Sequence, residues 1–125
     1  MTEKSSTELT EEIKARVRRN LEEIFTAVAG KNVTVMAATK TVPAEVINYA
    51  TQECGLHNIG ENRVQEYMAK KEFYSKNTDV HFIGHLQTNK VKYIIDSVSV
   101  IQSVDSAKLA AEVDRQAQRL GKIQD

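Results

Sequence analysis

The sequence contains one cysteine, one proline and no long apolar run. The single cysteine, Cys54, cannot form a disulfide within the chain, and no charged-then-apolar leader precedes the first predicted helix. These two absences predict a reducing, cytoplasmic location. Every uninterrupted apolar run is far shorter than the ~20 residues that a membrane span needs, so a soluble protein is expected.

The charges exclude a second group of functions. Seventeen basic and seventeen acidic residues cancel, and no stretch of Lys and Arg is dense enough to attract nucleic acid or an anionic membrane. The nucleotide-binding patterns G-x-G-x-x-G and P-loop are absent, as is the G-x-S-x-G of serine hydrolases. We therefore expect no nucleic-acid partner, no membrane partner and no chemistry of those kinds.

What is present is enough apolar sequence for one folded domain over residues 1–125. A chain of 125 residues with 41% hydrophobic content is expected to bury roughly two thirds of its unfolded surface. A leading amphipathic helix is predicted over residues 6–29, with Ser5 and Glu8 as a capping box and Gly30 as its end. Its apolar face follows the helical period through Leu9, Ile13, Val17, Leu21, Ile24 and Val28.

Short apolar strands then alternate with helices. Strands are predicted over residues 33–38, 56–59, 80–83 and 98–101, and each is followed by a helical pattern. Pro43 is predicted to open the first of these helices and Gly55 to stop it, while Thr88 and Asp105 are the predicted caps of the third and fourth. The inward-facing helix positions are Val46, Ile47, Ala50, Val64, Tyr67, Met68, Val91, Ile94, Ile95, Leu109, Val113, Ala117 and Leu120.

This cadence predicts an α/β fold of parallel βα repeats joined by right-handed crossovers. Two architectures fit the pattern. One is a small open sheet with helices on both faces, and the other is half of an eight-stranded barrel, which typically needs about 250 residues. The periodicity does not separate them.

In both architectures a ligand site lies at the carboxyl ends of the strands. Lys40 follows the first strand, and a partly desolvated amine there can form a Schiff base with an aldehyde. A lysine that simply reaches water from the sheet rim explains the position as well, and spacing alone favours the rim. Asn62 suits either a ligand contact or a helix cap, and Glu61 suits either an acid–base role or a helix start.

The other reactive side chains point to no metal or nucleophile. His81 and His85 are four residues apart, but His81 belongs to a predicted strand and Gly84 intervenes, so the spacing does not indicate a metal site. Cys54 is expected to be a small packing residue.

Four motifs, each at a predicted strand end, carry a resemblance. They are AATKTVP, HNIGENRVQE, HFIGHLQTNK and IQSVDSAKLA, in that order. Together they resemble the YggS/PROSC family of pyridoxal 5′-phosphate-binding proteins, whose barrel is similar to the N-terminal domain of alanine racemase. The resemblance runs from about Val33 to the end of the chain. It implies half of a TIM-type (β/α)8 barrel preceded by an N-terminal helix.

The resemblance also implies a cofactor and its site. The cofactor is pyridoxal 5′-phosphate, carried as a Schiff base on Lys40, and the implied contacts are Lys40, Asn62, His81, Ile83, Gly84 and Ser103. In the family, the cofactor phosphate is held by a serine- and glycine-rich segment in the second half of the barrel. The chain stops at Asp125, before a fifth strand, so it is expected to be a truncated half-barrel that holds the cofactor weakly.

Three functions follow from the resemblance. The first is cofactor binding in vitamin B6 and amino-acid homeostasis, without established turnover. The second is a fold-type III enzyme such as a racemase, in which a second residue moves a proton. No tyrosine is expected in that role, because Tyr49, Tyr67, Tyr74 and Tyr93 fall in predicted helices. The third is a scaffold without ligand.

The open edges of a half-barrel have a structural consequence. Unpaired strand edges and an exposed apolar sheet face favour association. The chain is therefore expected to form a homodimer or to rearrange into a flatter, doubly wound sheet.

Overall fold

A computed structural model describes residues 9–39 and 41–125 of the chain. The capping box predicted at Ser5 and Glu8 lies outside the described residues, and so does Lys40. Helix α1 spans Glu11–Val28 and thus begins later than the predicted residue 6, since Leu9 and Thr10 precede it in non-helical backbone. The hydroxyl of Thr10 accepts a hydrogen bond from the amide of Ile13 at 3.1 Å, which caps the helix.

Four strands form one parallel sheet. Strands β1 (Met36–Ala38), β2 (Asn58–Glu61), β3 (Asp79–Phe82) and β4 (Val100–Ile101) lie in the order β1-β2-β3-β4. The connections contain helices α2 (Ala44–Glu53) and α3 (Val64–Lys70), a 3₁₀ turn at Lys71–Phe73, and a 3₁₀ turn at Thr88–Lys90 that continues into α4 (Val91–Ile94). Helix α5 (Ala107–Arg119) follows β4.

The strand order distinguishes the two predicted architectures. Doubly wound sheets reverse their order at a switch point, whereas these strands follow one another without reversal, as in a barrel. One face of the sheet is buried, with Ile59 and Phe82 at 0% exposure against residues of the helices. The other face, which carries Met36, Asn58 and His81, is only partly covered. The fold is therefore the half-barrel, and the prediction of a flatter doubly wound sheet was wrong.

The strand boundaries differ from the prediction. Residues 33–35 precede β1, and Val33 is 56% exposed. Strand β2 lies two residues later than predicted, so Gly60 and Glu61 belong to the strand and not to the loop after it. Strand β3 begins one residue earlier, and β4 is confined to its last two predicted residues.

Three helix caps also differ. Pro43 is the N-cap of α2 and precedes the first helical residue. Thr88 lies inside the 3₁₀ turn and is not a cap. Ser106, and not Asp105, caps α5, because its hydroxyl accepts the amide hydrogen of Leu109 at 3.1 Å. Two predicted inward positions, Met68 and Leu120, are exposed, the latter because α5 ends before it.

The last residues run back along β4. The carbonyl of Asp125 accepts a hydrogen bond from the amide of Ile101 at 2.9 Å, and the side-chain amide of Gln124 donates to the carbonyls of Val98 and Ser99. None of the helices formed by residues 9–39 and 41–125 is long and apolar enough to cross a membrane.

Candidate functional site

The residues that follow the strands meet at one edge of the sheet. The parallel hydrogen-bond ladder continues one residue beyond the strands: the amide of Thr39 donates to Gly60, that of Ile83 to Glu61, and that of Gln102 to Phe82. The residues after β1, β2, β3 and β4 are therefore held at one level. This edge is the position of the ligand site in barrels and other parallel α/β folds.

Gly84 places the loop after β3 directly against Asn62. A Cβ atom added to Gly84 would lie 2.8 Å from the Cα and carbonyl carbon of Asn62, and closer still to its carbonyl oxygen. Backbone atoms cannot yield as a flexible side chain can, so only glycine allows this approach. Two of the predicted site residues are thus brought into contact, and the role of Gly84 in that contact is to admit the backbone of Asn62.

Asn62 and Ser103 each have a buried oxygen without a hydrogen-bond partner. The Oδ1 atom of Asn62 and the Oγ atom of Ser103 find none within the part of the chain that the structure describes. Buried polar atoms are nearly always paired, because leaving one unpaired costs roughly 1–3 kcal/mol. Both atoms belong to residues that follow strands, where a ligand would satisfy them.

An open cleft lies beside Asn62. It has a volume of about 300 Å³ and lies between the loops that follow β2 and β3. His85 in its wall approaches Asp105 at 3.7 Å between Nδ1 and Oδ2, and both side chains are largely exposed. The lining residues are Asn62, Arg63, Val64, Gln65, His85, Gln87 and Lys90.

His81 and Ile83 lie on the partly covered face of the sheet. The Nε2 atom of His81 is 3.0 Å from Oδ1 of Asn58, and its Nδ1 atom is 3.0 Å from Nε2 of Gln102. Both ring nitrogens therefore already have partners within the sheet. Ile83 extends over Gly60, where an added Cβ would be 2.8 Å from its Cδ1 atom. These two residues line the sheet face below the strand ends.

Glu61 is not at a helix start, as one interpretation of the sequence had it. It is a residue of β2 with 0% exposure on the helix-covered side. Its carboxylate accepts a hydrogen bond from the hydroxyl of Tyr74, and Nζ of Lys70 lies 3.7 Å away. Burial raises the pKa of Glu61, although the hydrogen bond from Tyr74 and the charge of Lys70 oppose the shift.

Tyr74 is likewise placed differently from the prediction, which had it in a helix. It follows the 3₁₀ turn Lys71–Phe73 in extended backbone. Burial, followed by the hydrogen bond to Glu61, raises the pKa of Tyr74 far above its usual value. Sequence reasoning missed Lys70 and Tyr74 because both belong to connections, and only the burial of Glu61 brings them together. The shifted boundary of β2 concealed that burial.

Comparisons with known proteins match this fold and these motifs. The chain is 47% identical over 93 residues to the pyridoxal phosphate homeostasis protein of Aquifex aeolicus, a match that covers 73% of this chain and 40% of that protein. No family model matches the chain. The chain thus spans about two fifths of the length of this curated relative.

Solved structures give the same result. PipY of Synechococcus elongatus without PLP is 33% identical, with a TM-score of 0.80, and the match covers 86% of this chain and 50% of PipY. PipY with PLP bound is 32% identical, with a TM-score of 0.75, over 84% of this chain and 50% of PipY. The sequential parallel sheet, the four strand-end motifs and these relatives agree, and the chain belongs to the YggS/PROSC family of pyridoxal phosphate homeostasis proteins.

Proposed function

We propose that this chain binds pyridoxal 5′-phosphate and serves in the homeostasis of that cofactor, which it holds as a Schiff base on Lys40. The observation that carries the proposal is the likeness to PipY, a structure of which has PLP bound. The relative from Aquifex aeolicus is named for pyridoxal phosphate homeostasis. A cytoplasmic location is part of the proposal, since the single cysteine suits a reducing compartment.

The strand-end residues suit such a cofactor chemically. Pyridoxal phosphate supplies an aldehyde, which condenses with a lysine amine and releases water. The unpartnered Oδ1 of Asn62 is an acceptor for a ligand donor, and the unpartnered hydroxyl of Ser103 can donate to a ring nitrogen or a phosphate oxygen. Gly84 keeps Asn62 in place by admitting its backbone.

A spectral titration tests the Lys40 assignment. Pyridoxal phosphate is added to the wild-type chain and to Lys40→Ala, and the visible absorbance of the Schiff base is followed. The expected result is saturable uptake by the wild type and none by Lys40→Ala, because the variant lacks the amine. Borohydride reduction followed by peptide mass mapping should place the adduct on Lys40.

Lys92→Ala is the matched control. Lys92 is an exposed lysine of α4, away from the strand ends, and its loss should leave uptake unchanged. Equal titration of the wild type and Lys40→Ala would show that Lys40 is not the attachment residue. Conversion of L-alanine to D-alanine by the loaded chain would contradict the carrier role and favour the racemase-like alternative.

We also propose that two copies of this chain associate. The partly covered face of the sheet presents Met36, Ile83 and Val100, none of which is fully buried, and β1 is an edge strand. Exposed edges and apolar faces of this kind favour pairing.

A further inference from the structure

The backbone of Thr39, Thr41 and Val42, on the two sides of Lys40, is unusual. The amide of Val42 donates to the carbonyl of Thr39 at 3.1 Å, which closes the turn. Thr41 has a φ of 64°, and within residues 9–39 and 41–125 it is the only non-glycine residue with a positive φ. A β-branched residue strongly disfavours this region, so the turn persists only if its surroundings hold it.

Two side chains of helix α3 form hydrogen bonds to the backbone of this turn. Nζ of Lys70 donates to the carbonyl of Thr39 at 3.3 Å and to that of Val42 at 3.0 Å. Oε2 of Glu66 accepts the amide hydrogen of Thr41 at 2.7 Å. Residues on both sides of Lys40 are thus bonded to α3.

Strand β2 fixes the start of the turn. The amide of Thr39 donates to the carbonyl of Gly60 at 3.0 Å, and the Thr39 hydroxyl is 3.3 Å from the same oxygen. The conformation of Thr41 is therefore imposed from two neighbouring elements.

Lys70 is itself held by two acids, the fully buried Glu61 and the partly exposed Glu66. Its side chain is 13% exposed, and its Nζ atom lies 3.7 Å from Oε2 of Glu61 and 4.0 Å from Oε2 of Glu66. Glu61 in turn accepts a hydrogen bond from Tyr74. An ammonium group withdrawn from water in this way needs partners, and two carboxylates and two carbonyls provide them. A lysine that served only solubility would not be enclosed like this.

We propose that Lys70 and Glu66 are positioning residues that hold the Thr39–Val42 turn so that Lys40 is presented to pyridoxal phosphate in one orientation. The proposal rests on the proposed function. Neither residue needs to touch the cofactor; both act through the backbone on either side of Lys40. Fixing the direction of a reacting group in advance removes an entropic cost from its reaction, and small misplacements are expensive.

The principal test compares Lys70→Met with Lys71→Met. Methionine keeps the unbranched stem of Lys70 but cannot donate to the two carbonyls. Lys71, the next residue, pairs with the half-exposed Asp96 at 3.5 Å and lies over the ring of Tyr67 at 5.9 Å from its centroid. Among the described residues it makes no hydrogen bond to the Thr39–Val42 turn, so its variant controls for the loss of a lysine. We expect Lys70→Met to trap the cofactor on Lys40 at least about tenfold more slowly under borohydride, with Lys71→Met unchanged.

A rescue variant separates positioning from general stability. Glycine adopts a positive φ without strain, so Thr41→Gly in the Lys70→Met background removes the strain but not the need for the two missing hydrogen bonds, and it should recover only part of the trapping rate. Glu66→Ala is the second probe, since alanine keeps α3 helical while removing the acceptor for the Thr41 amide. Glu66→Ala should also slow trapping of the cofactor. It tests the positioning role if Lys70→Met does not fold.

A readout without cofactor distinguishes failure of this proposal from failure of the proposed function. Hydrogen exchange at the Thr41 and Val42 amides should be about tenfold faster in the variants. Glu66→Ala removes the acceptor of the Thr41 amide, and Lys70→Met releases the carbonyls of Thr39 and Val42, which loosens the turn that the Val42 amide closes. If the wild type takes up no cofactor, the proposed function fails. The exchange rates alone then test whether Lys70 and Glu66 hold the Thr39–Val42 turn. Folded Lys70→Met and Glu66→Ala chains with wild-type exchange, or with wild-type trapping on Lys40, would overturn the positioning role.

Discussion

Glu61 is the residue whose environment departs furthest from that of an ordinary glutamate. Its side chain is fully buried in β2, it accepts from Tyr74, and Oε1 has no partner among the described residues. Burial is the main cause of its raised pKa. The folded chain therefore binds a proton at Glu61 more tightly than the unfolded chain does.

This difference predicts the pH dependence of a Glu61→Gln variant. Above the unfolded pKa of about 4.5, the unfolded state has released the proton of Glu61, while the folded state still retains it. The free energy of unfolding of the wild type therefore falls as the pH rises above this value. Glutamine does not titrate but still accepts from Tyr74. The unfolding free energy of Glu61→Gln should therefore improve relative to wild type as the pH rises above about 4.5, by at most about 1.4 kcal/mol per pH unit.

Glu112→Gln provides a control of opposite sign. The hydrogen bond from Arg115, followed by that from Gln116, lowers the pKa of Glu112, so its stabilisation is present above the unfolded pKa and is lost as pH falls. Its variant should lose stability relative to wild type as pH rises, as measured by urea unfolding at several pH values. A flat difference for Glu61→Gln across the same range would contradict the burial argument.

At the level of single residues, the sequence identified the strand-end positions better than their contacts. Asn62, Gly84 and Ser103 were predicted from motifs at strand ends, and the structure brings Asn62 and Gly84 together. Lys70 was not predicted, because a lysine near the end of a helix has the same local pattern whether it meets water or two backbone carbonyls. The roles of the predicted residues toward a cofactor stay predictions.

Among the helices, α5 shows how a single cap decides a boundary. Asp105 and Ser106 are adjacent, and both are favourable capping residue types. The backbone of Ser106 is extended, with a φ of -154°, and its hydroxyl accepts from Leu109. Asp105 instead faces His85 at the surface.

Alanine substitutions distinguish these two adjacent residues. Ser106→Ala should lower the free energy of unfolding by about 1 kcal/mol, because an amide of the first turn loses its acceptor. Asp105→Ala should change it by less than about 0.5 kcal/mol, since an exposed contact with His85 contributes little. Urea denaturation of both variants measures the difference. A larger loss of unfolding free energy in Asp105→Ala would show that Asp105, and not Ser106, is the N-cap.

The sequence predicted which segments are helices and which are strands, but it did not predict where the strands begin and end. The helical period of α2 correctly marked Ile47 and Ala50 as buried. The strands were misplaced because short apolar runs such as Leu56–Ile59 do not show where ladder hydrogen bonds begin. Residues 33–35 are as β-prone as those of β1, yet they precede the first residue that pairs with β2.

For the whole molecule, the open sheet face is the feature with consequences in solution. Sedimentation velocity should show a species of twice the chain mass that dissociates on dilution, because association covers the face that carries Val100. Val100→Lys should shift the chain toward monomer, as a charge in that contact opposes burial. Val33→Lys is the control, since Val33 is already 56% exposed and lies outside the strands. A folded wild-type monomer at all concentrations would contradict the proposed association.

The sequence by itself determined the alternation of strands and helices, the helix faces that pack inward and the four polar strand ends. These follow from local periodicity and from residue types that start or stop an element. Only the tertiary structure decided the order β1-β2-β3-β4, the single buried face, the approach of Gly84 to Asn62 and the hold of α3 on the Thr39–Val42 turn. Such contacts join residues about 20 to 30 positions apart, and they depend on how the strands are ordered and curved together, which no local period encodes.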